Sequence, residues 1–217
     1  SGNGDYSARA IDYDELGNPS FDVYYGEQNL GRIQLHVPGL HNVENALACA
    51  ALCHTVFHLD MEHINASLEH YHLAGRRFEL IGERDGVKIF HDYAHHPTEI
   101  KACLSAAKKY PHKKMYVLFQ CNSFTRAKTL KEKYALAFEN ADVVMMPDIY
   151  PGRDIDRGEI HATDVVKLID AHSHNCLYLP TFADIKAYLL EHWQPGDIVI
   201  TLGSGDVYKQ QRILLED

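Results

Sequence analysis

The 217-residue chain has a single tryptophan, and no apolar run comes near the ~20 residues that a membrane-spanning helix needs. No membrane contact is therefore expected. An excess of positive charge is also missing: 21 Lys and Arg stand against 30 Asp and Glu, a formal net charge of −9. That balance argues against non-specific binding to nucleic acid or anionic lipid, and no nucleic-acid partner is expected. Fifteen histidines soften the figure, because several titrate near neutrality. Cysteine is sparse and unpatterned. Cys49 and Cys53 lie four apart within a helical pattern, while Cys103, Cys121 and Cys176 stand alone, so a zinc site would lack two ligands. All five are expected to be reduced, mostly buried thiols. A charged-then-apolar leader is absent from the start, which makes the cytoplasm the default location.

What is present is an ordinary globular balance, 46% apolar and 24% charged, in a length suited to one large or two small domains. Residues 1–20 are polar, with Gly17-Asn18-Pro19 as a turn signal. The short runs 21–25 and 32–37, separated by Gly26 and Gly31, read as a β-hairpin. The period changes at 42–59, where Val43, Ala46, Leu47, Ala50 and Phe57 recur at helical spacing behind a candidate N-cap, Asn42. A second helix begins at Asp60. From 79 onward strands and amphipathic helices alternate, with parallel strands expected at 87–92, 115–120, 143–147, 176–179 and 198–202. Helices are expected at 97–109, 125–140, 162–171, 182–192 and 207–215. Continuous β-branched strands between such helices imply an α/β fold: a Rossmann-like, mostly parallel sheet with helices on both faces, preceded by a smaller β-hairpin and helical pair.

The most informative segment is Asp92-Tyr-Ala-His-His-Pro-Thr-Glu99, directly after an expected strand. Pro97 suits a first helical turn, and Thr98 and Glu99 place oxygen and negative charge where the helix dipole favours them. Ligands of open α/β sheets bind at the carboxyl ends of strands, so chemistry belongs here; alone, the octapeptide is equally a His-rich surface turn. Other segments fall on loops. His41-Asn42-Val43-Glu44-Asn45 puts two carboxamides at a helix start, suited to an adenine edge or simply to capping. Arg76-Arg77-Phe78-Glu79 offers a guanidinium fork for phosphate, or an interdomain salt bridge. Residues 119–126 end a strand and open a helix, a natural anion site, with Arg126 and Lys128 as local cations. Gly203-Ser204-Gly205-Asp206 joins the last strand and helix, although a tight turn needs glycine without any ligand.

In this order and spacing these segments resemble the Mur ligase family of peptidoglycan synthesis. The resemblance rests on Val37-Pro-Gly-Leu-His-Asn-Val-Glu-Asn-Ala-Leu-Ala48, Arg76-Arg-Phe-Glu79, residues 92–99, Phe119-Gln120 with Thr125-Arg126, Asp148-Ile-Tyr150 and the Gly-Ser-Gly-Asp turn, and it covers essentially the whole chain. It implies an ATP-dependent amide-bond-forming ligase that uses Mg²⁺. The implied substrates are UDP-N-acetylmuramate and L-alanine, joined through an acyl phosphate. It also implies a fragment, since no Gly-x-x-x-x-Gly-Lys-Ser/Thr loop occurs. Residues 1–78 would be the C-terminal part of the central ATP-binding domain and 79–217 the C-terminal, amino-acid-binding domain, together inactive alone. By resemblance, Asn42, Asn45, Arg77 and Asp92 would serve the nucleotide, with Asp92 on ribose hydroxyls. Tyr93, His95, His96, Asn122 and Arg126 would serve the muramoyl and amino-acid side.

The chain departs from the family pattern at His91, where a second Asp is usual, and at Cys121-Asn122-Ser123, where Pro-His-Thr is usual. Asn122 can replace a donor there but not a charge. Three rivals stand beside this reading: a ligase that reattaches recycled murein tripeptide, a non-catalytic nucleotide-binding module, and a metal hydrolase on His91, His95 and His96. The last is disfavoured because adjacent histidines rarely point the same way.

Overall fold

The computed structural model describes residues 5–15, 17–71 and 75–216; the polar opening at 1–4 lies outside them. The chain divides into two compact units, Ser1–Leu73 with Ser105–Pro111, and Ala74–Leu104 with His112–Asp217.

In the first unit the expected hairpin is part of a three-stranded antiparallel sheet, β1 (Tyr6–Tyr13), β2 (Pro19–Tyr25) and β3 (Gln28–Gln34), in that order. Strand β1 escapes the sequence pattern because a bulge breaks its alternation. Ala10 sits at φ 49° and the pairing with β2 shifts between Arg9 and Asp12, so Tyr6 and Ala8 face the core in one phase and Ile11 in the other. Helix α1 (Leu40–Phe57) and helix α2 (Met61–Glu69) cover this sheet with Val43, Ala46, Ala50, Met61 and Ile64. Asn42 is not the N-cap of α1. Gly39 takes that position at φ 106°, open to glycine, and Asn42 lies buried in the first turn with Nδ2 donating to the Pro38 carbonyl (2.7 Å). Asp60 caps α2 as its type suggests, accepting from the His63 amide.

The second unit is built on a six-stranded sheet: β4 (Glu79–Arg84), β5 (Val87–Asp92), β6 (Met115–Phe119), β7 (Val143–Met146), β8 (Cys176–Tyr178) and β9 (Ile198–Leu202), ordered β4-β5-β9-β6-β7-β8. All pairs are parallel except β4 with β5. The five expected parallel strands are present; β4 is additional. Its signal is Asp85-Gly86, both in left-handed backbone (φ 53° and 74°), the conformation of a tight hairpin turn. Successive residues of a strand point to opposite faces. Tyr116 and Leu118 pack with Ile185 and Leu189 of α6 (Phe182–His192) and with Val207 and Leu214, whereas the Phe119 ring meets Tyr134 of α4 (Phe124–Ala135) and Phe138. Helices therefore cover both faces. Helices α3 (Pro97–Ala107) and α5 (Ala162–Ser173) match their expected places, and the last helix is split into α7 (Val207–Gln210) and a 3₁₀ turn, Gln211–Leu214. The five cysteines are free thiols; Cys103, Cys121 and Cys176 are buried, Cys53 is half-buried and Cys49 is exposed.

Candidate functional site

Three loops of the second unit leave the carboxyl ends of β5, β6 and β9, where an open parallel sheet presents its ligand groups. Strand β5 delivers Asp92, which is buried. Its Oδ1 accepts from the Ala94 amide (2.7 Å) and its Oδ2 from the Phe78 amide (2.9 Å). Burial pushes this carboxyl above its usual range, opposed by the two amides and the Arg77 guanidinium. Arg77 stands 3.9 Å from Asp92 Oδ1, too far for a tight pair, and its head is half-exposed over the Tyr93 ring. A carboxylate with lone pairs to spare thus lies beside a guanidinium with donors to spare.

The same loop carries His95 and His96, and their surroundings fix opposite tautomers. His95 Nδ1 lies 3.0 Å from the Tyr93 carbonyl, which only accepts, and 3.6 Å from Glu99 Oε2, so Nδ1 holds a proton and Nε2 is the acceptor of the neutral ring. The Thr98 amide donates to His96 Nδ1 (3.3 Å), so His96 carries its proton on Nε2. Adjacent imidazoles therefore offer one proton acceptor and one donor. Glu99 closes the start of α3 by accepting from both histidine amides (3.1 and 3.2 Å). Burial would raise its carboxyl, but these bonds outweigh it and hold it below the ordinary value.

At the end of β6, Asn122 Nδ2 donates to Ser204 Oγ (2.9 Å), and its backbone bridges to Tyr150. Ser123 takes φ 74°, a costly conformation for a residue with a side chain, and its Oγ accepts from the Arg126 amide to start α4. Arg126 is half-buried, and its Nη1 is shielded without a partner. Tyr134 links the two groups: its hydroxyl donates to the His95 carbonyl (2.9 Å), and the Arg126 charge acts on the same phenol. The structure thus gathers Arg77, Asp92, Tyr93, His95 and His96 at one strand end and Asn122 and Arg126 at the next. In the first unit Asn42 is tied to Pro38 and Asn45 is exposed on α1. Tyr134 and Tyr208 carry no signal of a site in the sequence, whereas Ser204 and Arg76 fall within the segments 203–206 and 76–79; the Arg76 guanidinium lies over the rings of both Tyr93 and Tyr208.

His91 is a core residue. It is fully buried, with Nδ1 toward Thr201 Oγ1 (2.9 Å), and burial lowers its pKa to about 4. Among the described residues no group of three or more metal-ligating side chains converges. A cleft of about 660 Å³ between α4 and residues 153–160 is lined by Thr125, Lys128, Arg153 and Arg157 among others, and by none of the residues gathered at the two strand ends.

Comparison with known proteins gives concordant results. A family model described as Mur ligase, glutamate ligase domain, matches residues 76–205. A UDP-N-acetylmuramate--L-alanine ligase of Acetivibrio thermocellus is 40% identical over 217 residues, covering all of this chain and 46% of that protein. The chain thus spans about half the length of the curated relatives it matches. Among solved structures, a UDP-N-acetylmuramate-alanine ligase of Thermotoga maritima superposes with a TM-score of 0.81 at 22% identity, over 100% of this chain and 46% of that one. The MurF ligase of Thermotoga maritima in complex with ADP gives 0.69 at 18% identity, over 99% and 46%.

Proposed function

The chain belongs to the Mur ligase family, and we propose that it is the C-terminal part of an ATP-dependent ligase that joins L-alanine to UDP-N-acetylmuramate. The observation that carries this reading is the group Arg77, Asp92, Tyr93, His95 and His96 at one strand end, in a chain aligned along its whole length with alanine ligases. In this reading residues 1–78 complete the central ATP-binding domain and 79–217 form the substrate domain. The enzyme works in the cytoplasm, where its ATP and nucleotide-sugar substrates are dissolved.

The site residues suit a nucleotide. Asp92 has unused lone pairs for ribose hydroxyls, and the half-exposed Arg77 head has donors for phosphate. Asn45, exposed on α1, is the carboxamide for the adenine edge, and Asn42 in the first turn is tied to the Pro38 carbonyl. Mg²⁺ in such sites takes one or two protein ligands plus substrate phosphates, so it would arrive with the nucleotide. ATP supplies the phosphoryl group that turns a carboxylate into an acyl phosphate with a good leaving group. The chain's own part is proton handling and charge. His95 Nε2 is the bare acceptor that can take a proton from the ammonium of alanine, which must be neutral to attack. His96 Nε2–H can donate to the oxygen that becomes negative, and Arg126, with an unpartnered Nη1, can face an anionic substrate group. Tyr93 and Asn122 line the muramoyl and amino-acid side.

The test is phosphate release by the full-length protein with Mg-ATP, UDP-N-acetylmuramate and L-alanine, each omitted in turn. Release that needs all three supports the reading. Release with murein tripeptide in place of L-alanine, or no release at all, refutes it. The 217-residue chain by itself should read as blank.

A further inference from the structure

Arg76 is not assigned a role by the reading above, yet its surroundings are unusual. Its backbone is left-handed at φ 71°, and Phe78 two residues on is also left-handed at 42°. Three contacts hold this turn. The Arg76 amide donates to Glu79 Oε2 (2.6 Å), its carbonyl accepts from the Tyr93 amide (2.7 Å), and the Phe78 amide donates to Asp92. The turn that carries Arg77 is therefore tied directly to Asp92 and Tyr93. A side chain at a position that strains its backbone needs compensation, and the guanidinium supplies it. Its Cζ lies 4.7 Å from the centre of the Tyr93 ring and 4.2 Å from that of Tyr208, within cation–π range of both.

Behind the clamp lies His91. Thr201 Oγ1 has acceptors at 3.1 Å (Phe90 carbonyl) and 2.5 Å (Gln211 Oε1), so its hydrogen goes to one of them and its lone pair receives His91 Nδ1–H. His91 Nε2 is left as a bare buried acceptor, while Arg76 Nε is a buried donor without a partner. The two lie in one cluster: the Arg76 charge adds to the burial that keeps this imidazole neutral, and the His91 ring stands 6.2 Å from Tyr208. A cation here has two ring faces and a neutral imidazole about it, and among the described residues its carboxylate contact is the bond from its backbone amide to Glu79.

We propose that Arg76 is a positioning residue for nucleotide binding: clamped between Tyr93 and Tyr208, it fixes the left-handed turn that presents Arg77 to the Asp92 carboxylate. This rests on the proposed function for what the nucleotide does, but not for the clamp itself. Arg76 touches no reacting atom. Its effect passes through Arg77 and the Asp92 carboxylate that the same turn contacts, so it belongs to ATP affinity and not to the chemical step.

Tyr208 is the wall to test, because it is 38% exposed and its replacement leaves the core intact. In the full-length protein, Tyr208→Leu should raise the KM for ATP about five-fold with kcat unchanged, the effect of losing one ring face. Tyr208→Phe keeps the ring and should stay within about two-fold of the parent. A readout independent of turnover is the Arg76 Nε–H resonance of the ligand-free protein, shielded by two rings in the parent and in Tyr208→Phe, and shifted downfield in Tyr208→Leu. An unshielded Arg76 signal in the parent overturns the clamp whether or not the protein ligates alanine. A shielded signal with an unchanged KM in Tyr208→Leu overturns its role in binding, and equal losses in the Leu and Phe variants overturn the ring-face explanation. A shielded signal in a parent protein without alanine-dependent turnover leaves the clamp standing and counts against the proposed function alone.

Discussion

The buried histidine on β5 makes the stability of the second unit depend on pH in a calculable way. His91 is fully buried against Thr201, and burial, aided by the Arg76 charge, brings its pKa from 6.5 to about 4. In the unfolded chain the imidazole binds a proton below its ordinary pKa of about 6.5, while in the folded protein it stays neutral until pH 4. Between those values the unfolded state holds one more proton, so stability falls as the pH falls, by about 1.4 kcal/mol per pH unit. The contribution is fully present above pH 6.5 and lost through pH 4, a total of roughly 3 kcal/mol. Because carboxylates titrate in the same window, the measurement is a difference. The His91→Asn variant keeps a donor near Thr201 and has nothing to titrate. Trp193, the single tryptophan, is buried in the core beneath the sheet, so its fluorescence in urea reports the unit that contains His91. The parent should lose roughly 3 kcal/mol more than His91→Asn on going from pH 6.5 to 4. Parallel stability curves for the two proteins would refute the reasoning.

Leu118→Ala empties a fully buried position between sheet and helices and should cost about 2–5 kcal/mol, read from the same Trp193 transition; a loss under about 1 kcal/mol would mean the core is not packed as described. At Gly205 an added Cβ would stand 2.9 Å from Tyr150 Cδ1, so Gly205→Ala should destabilise by about 1–3 kcal/mol, and a neutral result in urea would place Tyr150 elsewhere. In the full-length protein Asp92→Ala should raise the KM for ATP, whereas Arg126→Ala should impair use of UDP-N-acetylmuramate or L-alanine. Unchanged kinetics for all three substrates in both variants would sink the site assignment.

The inner parallel strands β5, β6, β7 and β9 are legible in the sequence because a strand buried on both faces is an unbroken apolar run, and each run here is bounded by polar loops. The two strands that escape notice do so for separate reasons. In β1 the bulge at Ala10 reverses the phase of alternation, so neither a period of two nor a continuous run survives. In β4, Glu79 to Arg84, the apolar Leu80 and Ile81 stand between polar residues and none of the six is buried, so only the Asp85-Gly86 turn betrays the hairpin. The segment 92–99 declares its chemistry through residue types and a proline. The tautomers of His95 and His96 do not follow from types, because they depend on where the Tyr93 carbonyl and the Thr98 amide come to rest. Asn42 misleads for a related reason: its type suits a cap, but the preceding glycine reaches a backbone angle that moves the helix start three residues earlier. Tyr208 gives no local signal, since its partner Arg76 is more than half the chain away.

The place of β9 in the sheet bears on how the protein is made. This strand, Ile198–Leu202, lies between β5 and β6, yet it is the last of the six to be synthesised. A ribosome that has released the first five strands has produced two halves of a sheet with no shared hydrogen bonds, β4-β5 and β6-β7-β8. Each half exposes a strand edge and an apolar face until β9 slides between them. The non-local pairing makes this closure slow, and the open halves invite pairing with other chains while they wait. Loss of β9 would therefore not fray a margin but divide the unit through its centre, so nascent chains stalled just short of it are the species most in need of a chaperone.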